Sequence, residues 1–401
     1  MLHPDRPATL ANWQRAPFNR WSFLHVDRVV PTAAVSRGGA PIAPFVVLES
    51  AVLEVPVTRV SGYPGSVADV LRDTETDAFL VLNDGVLVHE SYPDSVGRNS
   101  RHLLMSVTKS FVGVVAGILA YRGILDLDGQ ITDYVREVAG FGYEGATVRH
   151  LLDMRSGIAF SEDYLDPDAE VRILEHAASW RPYQPGLPTS THEYLSRLPA
   201  DGPHGGPFRY RSCDTDILGW VCERAAGIHM ATLLSTLIWQ RLGMQNDAYI
   251  AIDSVGAAVH DGGLCATARD VARFGQLLLD DGRPASGEQV LPLGWTRDVL
   301  AGSADGKDAF AAMSSFDTGM PGGHYRHQFW VPFADGQVVL ALGIHGQMLY
   351  VDLETRTVGV KLSTWPMPQH AARFHDTLAT FQAIAHHLVA LTGHHQSQER
   401  S

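Results

Sequence analysis

Arg101-His102-Leu103-Leu104-Met105-Ser106-Val107-Thr108-Lys109-Ser110 opens the most apolar helical stretch of the chain, and its reading decides the fold. From Ser106 to Tyr121, apolar residues recur at Val107, Phe111, Val114, Val115, Ile118 and Leu119, and Arg122-Gly123 add a basic last turn and a glycine stop. That pattern predicts a largely buried helix. Ser106 and Lys109 stand three apart, so on a helix they share a face. A serine hydroxyl is a weak nucleophile until a neighbouring base takes its proton. The helix start helps, because its free N–H groups and positive dipole end favour an oxyanion. The same positive end, together with burial, is expected to push the lysine pKa down and make the amine a base. A Ser-x-x-Lys string arises by chance about once in a protein of this length. This chain has three lysines, Lys109, Lys307 and Lys361, which lowers that expectation several-fold.

Working toward the N-terminus, Ala78 to Leu82 and Val86 to Glu90 flank Asn83-Asp84-Gly85 and read as a hairpin. Toward the C-terminus, 148–243 is helix and loop: His150 to Met154, an acidic loop from Phe160 to Val171, then helices at Ile217 to Ala226 and Met230 to Leu242. Leu264 to Asp280 reads as one amphipathic helix. Strands return at Phe329 to Phe333, Val338 to Ile344, Leu349 to Leu353 and Thr357 to Leu362, an antiparallel meander. A last helix from Ala371 to Leu391 places Phe374, Leu378, Phe381, Ile384, Ala385 and Leu388 on one face. The expected class is α+β: an antiparallel sheet flanked by helices, with an inserted all-α lobe. The expected boundaries are 1–147 and 262–401 for a lobe built from both chain ends, and 148–261 for the insert.

Composition narrows the function. The chain has 401 residues, 45% of them hydrophobic and 19% charged, with a net charge of -13. Such a balance repels a polyanion, so no nucleic-acid partner is expected. No apolar run approaches the length that crosses a bilayer, and residues 1–30 do not read as a signal peptide, so the expectation is a cytoplasmic protein with no membrane partner. Cys213, Cys222 and Cys265 form neither an even set nor a metal-type spacing, which suits a reducing compartment. His386-His387 and His394-His395 lack carboxylate or Cys partners in register, so no metal site is expected there. No phosphate loop is visible and no cofactor is expected.

Three strings carry a family resemblance: Arg101 to Ser110, His150-Leu151-Leu152-Asp153-Met154-Arg155-Ser156-Gly157-Ile158, and Gly262-Gly263-Leu264-Cys265-Ala266-Thr267-Ala268-Arg269-Asp270. They resemble the serine β-lactamase and penicillin-binding-protein fold. Pro31 to Arg37, Glu162-Asp163-Tyr164-Leu165-Asp166-Pro167 and Gly343-Ile344-His345-Gly346-Gln347 are similar to the nylon-oligomer hydrolases, the 6-aminohexanoate-dimer hydrolases, and the likeness runs from Trp13 to Pro366.

The resemblance implies Ser106 as nucleophile, Lys109 as its base and Tyr210, in Phe208-Arg209-Tyr210-Arg211-Ser212, as the residue that shares their protons. Relatives commonly carry Asn two residues after that tyrosine, where this chain has Ser212. The backbone N–H groups of Ser106 and Ile344 would form the oxyanion hole. Tyr164, Glu175, Trp180, Asp261, Trp330, His345 and Gln347 would contact substrate, the acids receiving an ammonium end. His345-Gly346-Gln347 falls where lactamases carry Lys-Thr-Gly, which disfavours β-lactam turnover. The implied activity is hydrolysis of small linear amides or short-chain esters by a homodimer. The competing readings are a non-catalytic sensor of the same fold and a β-lactamase or peptidase.

Overall fold

A computed structural model describes residues 8–398 apart from 94, 285–286 and 314–319, with side chains described to residue 391. His394 and His395 therefore lie outside the described side chains. In chain order the strands are β1 (Thr32–Val35), β2 (Pro56–Thr58), β3 (Pro64–Ser66), β4 (Thr76–Asn83), β5 (Val86–Ser91), β6 (His102–Leu103), β7 (Ala248–Ala251), β8 (Leu264–Ala266), β9 (His324–Arg326), β10 (Phe329–Val331), β11 (Val338–Gly343), β12 (Gln347–Asp352) and β13 (Thr357–Ser363). Seven of them form one antiparallel sheet in the order β5-β4-β13-β12-β11-β10-β9. The early hairpin and the late meander thus join along β4 and β13. A second sheet, β1-β7-β8-β6, lies against the start of the central helix Val107–Tyr121.

The period of two in β13 explains the layering. Val358, Val360 and Leu362 join the core cluster that includes Phe274 and Leu278 of the helix Ala268–Leu279. Gly359 faces the other way, where the C-terminal helix Ala371–Gln398 lays Phe381 against Phe79 and Tyr350, each ring pair 5.3 Å apart. One sheet therefore separates two helical layers. Every residue from Val107 to Leu119 is buried, as the all-round apolar pattern requires.

The hairpin, the meander and the central helix form where the residue pattern places them; Asp84 and Gly85 supply positive φ at the turn. Four element assignments change. Leu264-Cys265-Ala266 is strand β8, not the first turn of a helix: it pairs with β6 and β7, and Thr267 then caps the helix by accepting from the Asp270 N–H at 3.2 Å. The helix Ser212–Ala226 begins five residues before Ile217, through polar residues that turn out to be buried. Met230 to Leu242 divides into an α-helix, Met230–Leu234, and a π-turn, Ser235–Trp239. The final helix continues to Gln398.

The central helix approaches the turn between β9 and β10 without clearance. A Cβ on Gly113 would stand 2.6 Å from the His327 carbonyl oxygen and 2.9 Å from the Gln328 Cβ. Gly113→Ala should destabilise the fold by about 1–3 kcal/mol through overpacking, despite alanine's better helix propensity. Urea unfolding of wild type and variant side by side checks this; equal or greater stability of the variant would contradict it.

Candidate active site

The backbone bends sharply just before Ser106. Leu103 N–H donates to the Phe23 carbonyl and Leu104 N–H to the Leu264 carbonyl, so β6 is held on both sides. Met105 then adopts φ +47°, a left-handed conformation a side chain enters only when its surroundings hold it there. Ser106 follows at φ -67°, ψ -4°, and the helix starts at Val107. Gly343 at the end of β11 comes so close that a Cβ would be 2.6 Å from the Leu104 carbonyl oxygen. That approach brings Ile344 to the wall of the pocket holding Ser106. Neither the Ser106 nor the Ile344 amide donates a hydrogen bond among the described residues, which leaves both free for an oxyanion.

Lys109 is fully enclosed. Its ammonium donates to Ser106 Oγ at 3.1 Å, to Ser212 Oγ at 3.0 Å and to the Asp261 carbonyl at 2.8 Å. Three N–H bonds meet three acceptors, which leaves no lone pair for the serine proton. Asp261 Oδ2 lies 3.6 Å away, and the Tyr210 ring centroid 5.3 Å away. Burial works to discharge the amine, but the electrostatic pull of Tyr210 first, then of Asp261, Glu162 and Asp216, opposes it and holds Lys109 above the ordinary lysine value. The expectation of a depressed lysine pKa is therefore corrected: Tyr210 and the neighbouring acids together override the helix end and the desolvation.

Tyr210 precedes the helix Ser212–Ala226 and stacks on Trp330 at 5.1 Å, with Tyr325 edge-on at 6.0 Å. Burial raises its phenol, while the Lys109 ammonium and the Ser106 hydroxyl pull it back. Glu162, in the acidic loop from Phe160 to Val171, turns inward. Ser212 Oγ donates to its Oε1 at 2.5 Å and Ser212 N–H to its Oε2 at 2.9 Å, and Tyr164 Oη also donates to Oε1 at 2.5 Å. A chain of polar atoms thus runs from Ser106 through Lys109 and Ser212 to Glu162. Only the serine in place of the usual Asn, two residues after Tyr210, hinted at a changed partner there.

A cavity of about 30 Å³ adjoins Ser106, lined among others by Met105, Tyr164, Trp180, Asp261 and Ile344. Trp180 is packed edge-on against Trp13 at 5.2 Å, and its own indole N–H has no acceptor among the described residues. Four other expected substrate contacts are differently engaged. Glu175 reaches the cavity wall, but Arg172 donates to both its oxygens at 2.9 Å and Arg181 donates to Oε2, so it is no free receptor for an ammonium. Trp330 belongs to the aromatic cluster with Phe208, Tyr210 and Tyr325 and buttresses the phenol from behind. Gln347 is buried with its amide bound to Ile344 and Ser363 carbonyls and its oxygen to the Ser363 N–H, a brace for the Ile344 turn. His345, also buried, borders the neighbouring outer cleft and hydrogen bonds through Nδ1 to the Trp365 carbonyl at 2.7 Å. Among the described residues, no three His, Cys, Asp or Glu side chains are arranged to hold a metal ion, and no helix is long and apolar enough to cross a membrane.

Comparison with known proteins gives a consistent set of likenesses. The family model described as Beta-lactamase matches residues 67–383. The chain is 40% identical over 362 residues to the 6-aminohexanoate-dimer hydrolase of Paenarthrobacter ureafaciens, covering 90% of this chain and 89% of that one. It is 30% identical over 174 residues to esterase EstB of Burkholderia gladioli, 40% of this chain and 41% of that one. Among solved structures, a Bacillus anthracis protein described provisionally as a 6-aminohexanoate-dimer hydrolase superposes with a TM-score of 0.87 at 29% identity, covering 96% of this chain and 99% of that one.

His345 should be silent at neutral pH. Burial drives its pKa from 6.5 down to about 4, only partly offset by the Trp365 carbonyl. The unfolded chain then takes up a proton before the folded one does, so this group's stabilisation is complete above pH 6.5 and disappears as pH falls toward 4, about 3 kcal/mol in all. Denaturant titrations across that range should show a shallower loss of stability in His345→Gln than in wild type. Equal slopes would contradict the assignment.

Proposed function

The chain belongs to the beta-lactamase family, serine hydrolases acting on amides and esters, and from that premise we propose that it cleaves linear amide or ester bonds through an acyl-enzyme on Ser106. The observation that carries this reading is the Lys109 Nζ fixed 3.1 Å from Ser106 Oγ, with the Tyr210 ring centroid 5.3 Å from the same Nζ. The substrates proposed are 6-aminohexanoate-type linear dimers, as in nylon-oligomer breakdown, and short-chain esters; the named relatives support both classes.

With Lys109 held as an ammonium, the Tyr210 oxygen is the base. The phenolate is the form the ammonium stabilises, and it accepts the Ser106 proton as Oγ attacks the substrate carbonyl. The tetrahedral oxyanion lies against the Ser106 and Ile344 N–H groups, which can contribute several kcal/mol. Tyr210 returns the proton to the departing amine or alkoxide. A water molecule then attacks the acyl carbon, gives its proton to Tyr210, and Ser106 leaves with that proton. Glu162, through Ser212, keeps Lys109 aligned and charged.

The division into a lobe from 1–147 and 262–401 and an inserted lobe from 148–261 belongs to the same proposal. It is supported by the seven-stranded sheet drawn from both ends, although β7 of the insert pairs with β1 and β8 outside it. A cytoplasmic setting is supported by three free buried cysteines, Cys213, Cys222 and Cys265. A homodimer is the assembly the family resemblance implies, and sedimentation of the purified protein tests it.

Ser106→Ala should reduce turnover of p-nitrophenyl butyrate and of the 6-aminohexanoate linear dimer to background with an unchanged circular dichroism spectrum. Retained turnover would remove the mechanism. Tyr210→Phe should lower kcat/KM by about 10²–10⁴-fold, and wild-type kcat/KM should rise with pH as the Ser106, Lys109 and Tyr210 group loses one proton. A Tyr210→Phe enzyme of near-normal rate would move the base elsewhere.

A further inference from the structure

Asp261 holds Lys109, and a second buried cluster, which takes no part in the proposed chemistry, holds Asp261. Asp261 stands in a tight turn closed by the Gly263 N–H, which donates to the Val259 carbonyl at 2.8 Å. Within that turn the Asp261 N–H donates to Asp216 Oδ1 at 3.0 Å, and the Asp261 carbonyl accepts from Lys109 at 2.8 Å. The backbone on both sides of Asp261 is therefore committed to the ammonium and its surroundings.

His260 is the side chain next to this backbone, and it is 2% exposed. It lies along the helix Ser212–Ala226, where Ser212, Asp216, Gly219 and Glu223 are spaced to share one stripe. Nδ1 stands 3.9 Å from Asp216 Oδ1, and Nε2 stands 3.6 Å from Glu223 Oε1. The same Glu223 oxygen accepts from the Met230 N–H at 2.6 Å, so it is anchored on its far side. Between the two acids the helix leaves a notch. A Cβ on Gly219 would lie 2.1 Å from His260 Cδ2, and the three atoms nearest that point all belong to the His260 ring. The helix Thr191–Leu195 brings His192 within electrostatic reach; burial first, and His260 next, lower its pKa to about 4, so it is uncharged at neutral pH.

We propose that His260 is a positioning residue for the Ser106 chemistry: seated on Gly219 between Asp216 and Glu223, its ring fixes the 260–261 backbone and so sets the Asp261 carbonyl and carboxylate against Lys109. The role rests on the acyl-enzyme reading, because Lys109 enters it as the partner of Ser106 and Tyr210. Displacing Asp261 has a definite sign. Burial acts first on the proton affinities of Lys109 and Tyr210, and each group acts next on the other; the Asp261 carboxylate then raises both. Moving that carboxylate away lowers both, so the rise of kcat/KM with pH shifts to lower pH. Loss of packing alone would cost stability or rate and leave that rise in place.

The test follows p-nitrophenyl butyrate turnover across pH, with circular dichroism as the check on folding. His260→Phe keeps a ring in the notch but loses both nitrogens. It should lower kcat/KM by about 10²-fold, mainly in kcat, and move the acid limb down by about one pH unit, the direction in which Asp261→Asn also moves it. His260→Gln, which keeps an amide donor, should recover part of both effects. Gly219→Ala pushes the ring off its seat with its nitrogens intact and should shift the limb the same way. Combining His260→Phe with Asp261→Asn should shift it no further than the larger single effect. If His260→Phe does not fold, His260→Gln and Gly219→Ala decide by the same limb. Folded variants whose limb stays at the wild-type pH, or a double variant whose shifts add, overturn the positioning role. Failure of wild type to turn over the ester overturns instead the acyl-enzyme reading on which it rests.

Discussion

The structure around Ser106 depends on one buried cation. Lys109 sits on the central helix, while Ser212 and Asp261, two of its three hydrogen-bond acceptors, and Glu162 come from the 148–261 segment. An ammonium removed from water is costly unless its donors and its charge are both satisfied. Here all three donors are used, and the Asp261 carboxylate stands 3.6 Å away as countercharge. The cation therefore ties the 148–261 segment to the helix that presents the serine. The same tie fixes its protonation state, so the structural and chemical roles of Lys109 cannot be varied separately.

In the proposed mechanism, that tie is why the phenol carries the proton traffic. A lysine surrounded by acceptors and acids is a poor proton acceptor but a strong electrostatic partner for an anion. Tyr210 is backed by Trp330 and Tyr325, which fix the ring and keep water from one face. Desolvation alone would make its phenolate inaccessible; the ammonium 5.3 Å from its ring centroid offsets part of that cost. The strained φ of Met105 and the glycine at 343 do the remaining positioning, bringing two unpaired amides to one wall.

Much of this was legible in the residues, and what was not shares a cause. The hairpin at Asp84-Gly85, the meander and the helix after Ser106 are each set by periodicity or turn chemistry within a few residues. Three short β-residues, Leu264-Cys265-Ala266, were read as helix because an apolar run before a capped helix carries no local mark of its strand partners. The inward turn of Glu162 carries no local mark either, because its burial depends on Ser212, 50 residues later. Glu175 shows the same limit from the other side. Its partners Arg172 and Arg181 lie within six residues, but only the geometry shows both forks closing on one carboxylate.

The charge layout orders these observations along a single axis. Asp261 lies beside Lys109 at the inner end; arginines gather at the mouth, where no Asp or Glu among the described residues lines the wall. An overall negative protein would repel an anionic solute at distance, with the repulsion screened over about 10 Å in ordinary salt. Inside the cleft the nearest charges dominate, and those are guanidinium groups with unspent donors. The sign of the protein as a whole therefore does not predict the sign its entrance prefers.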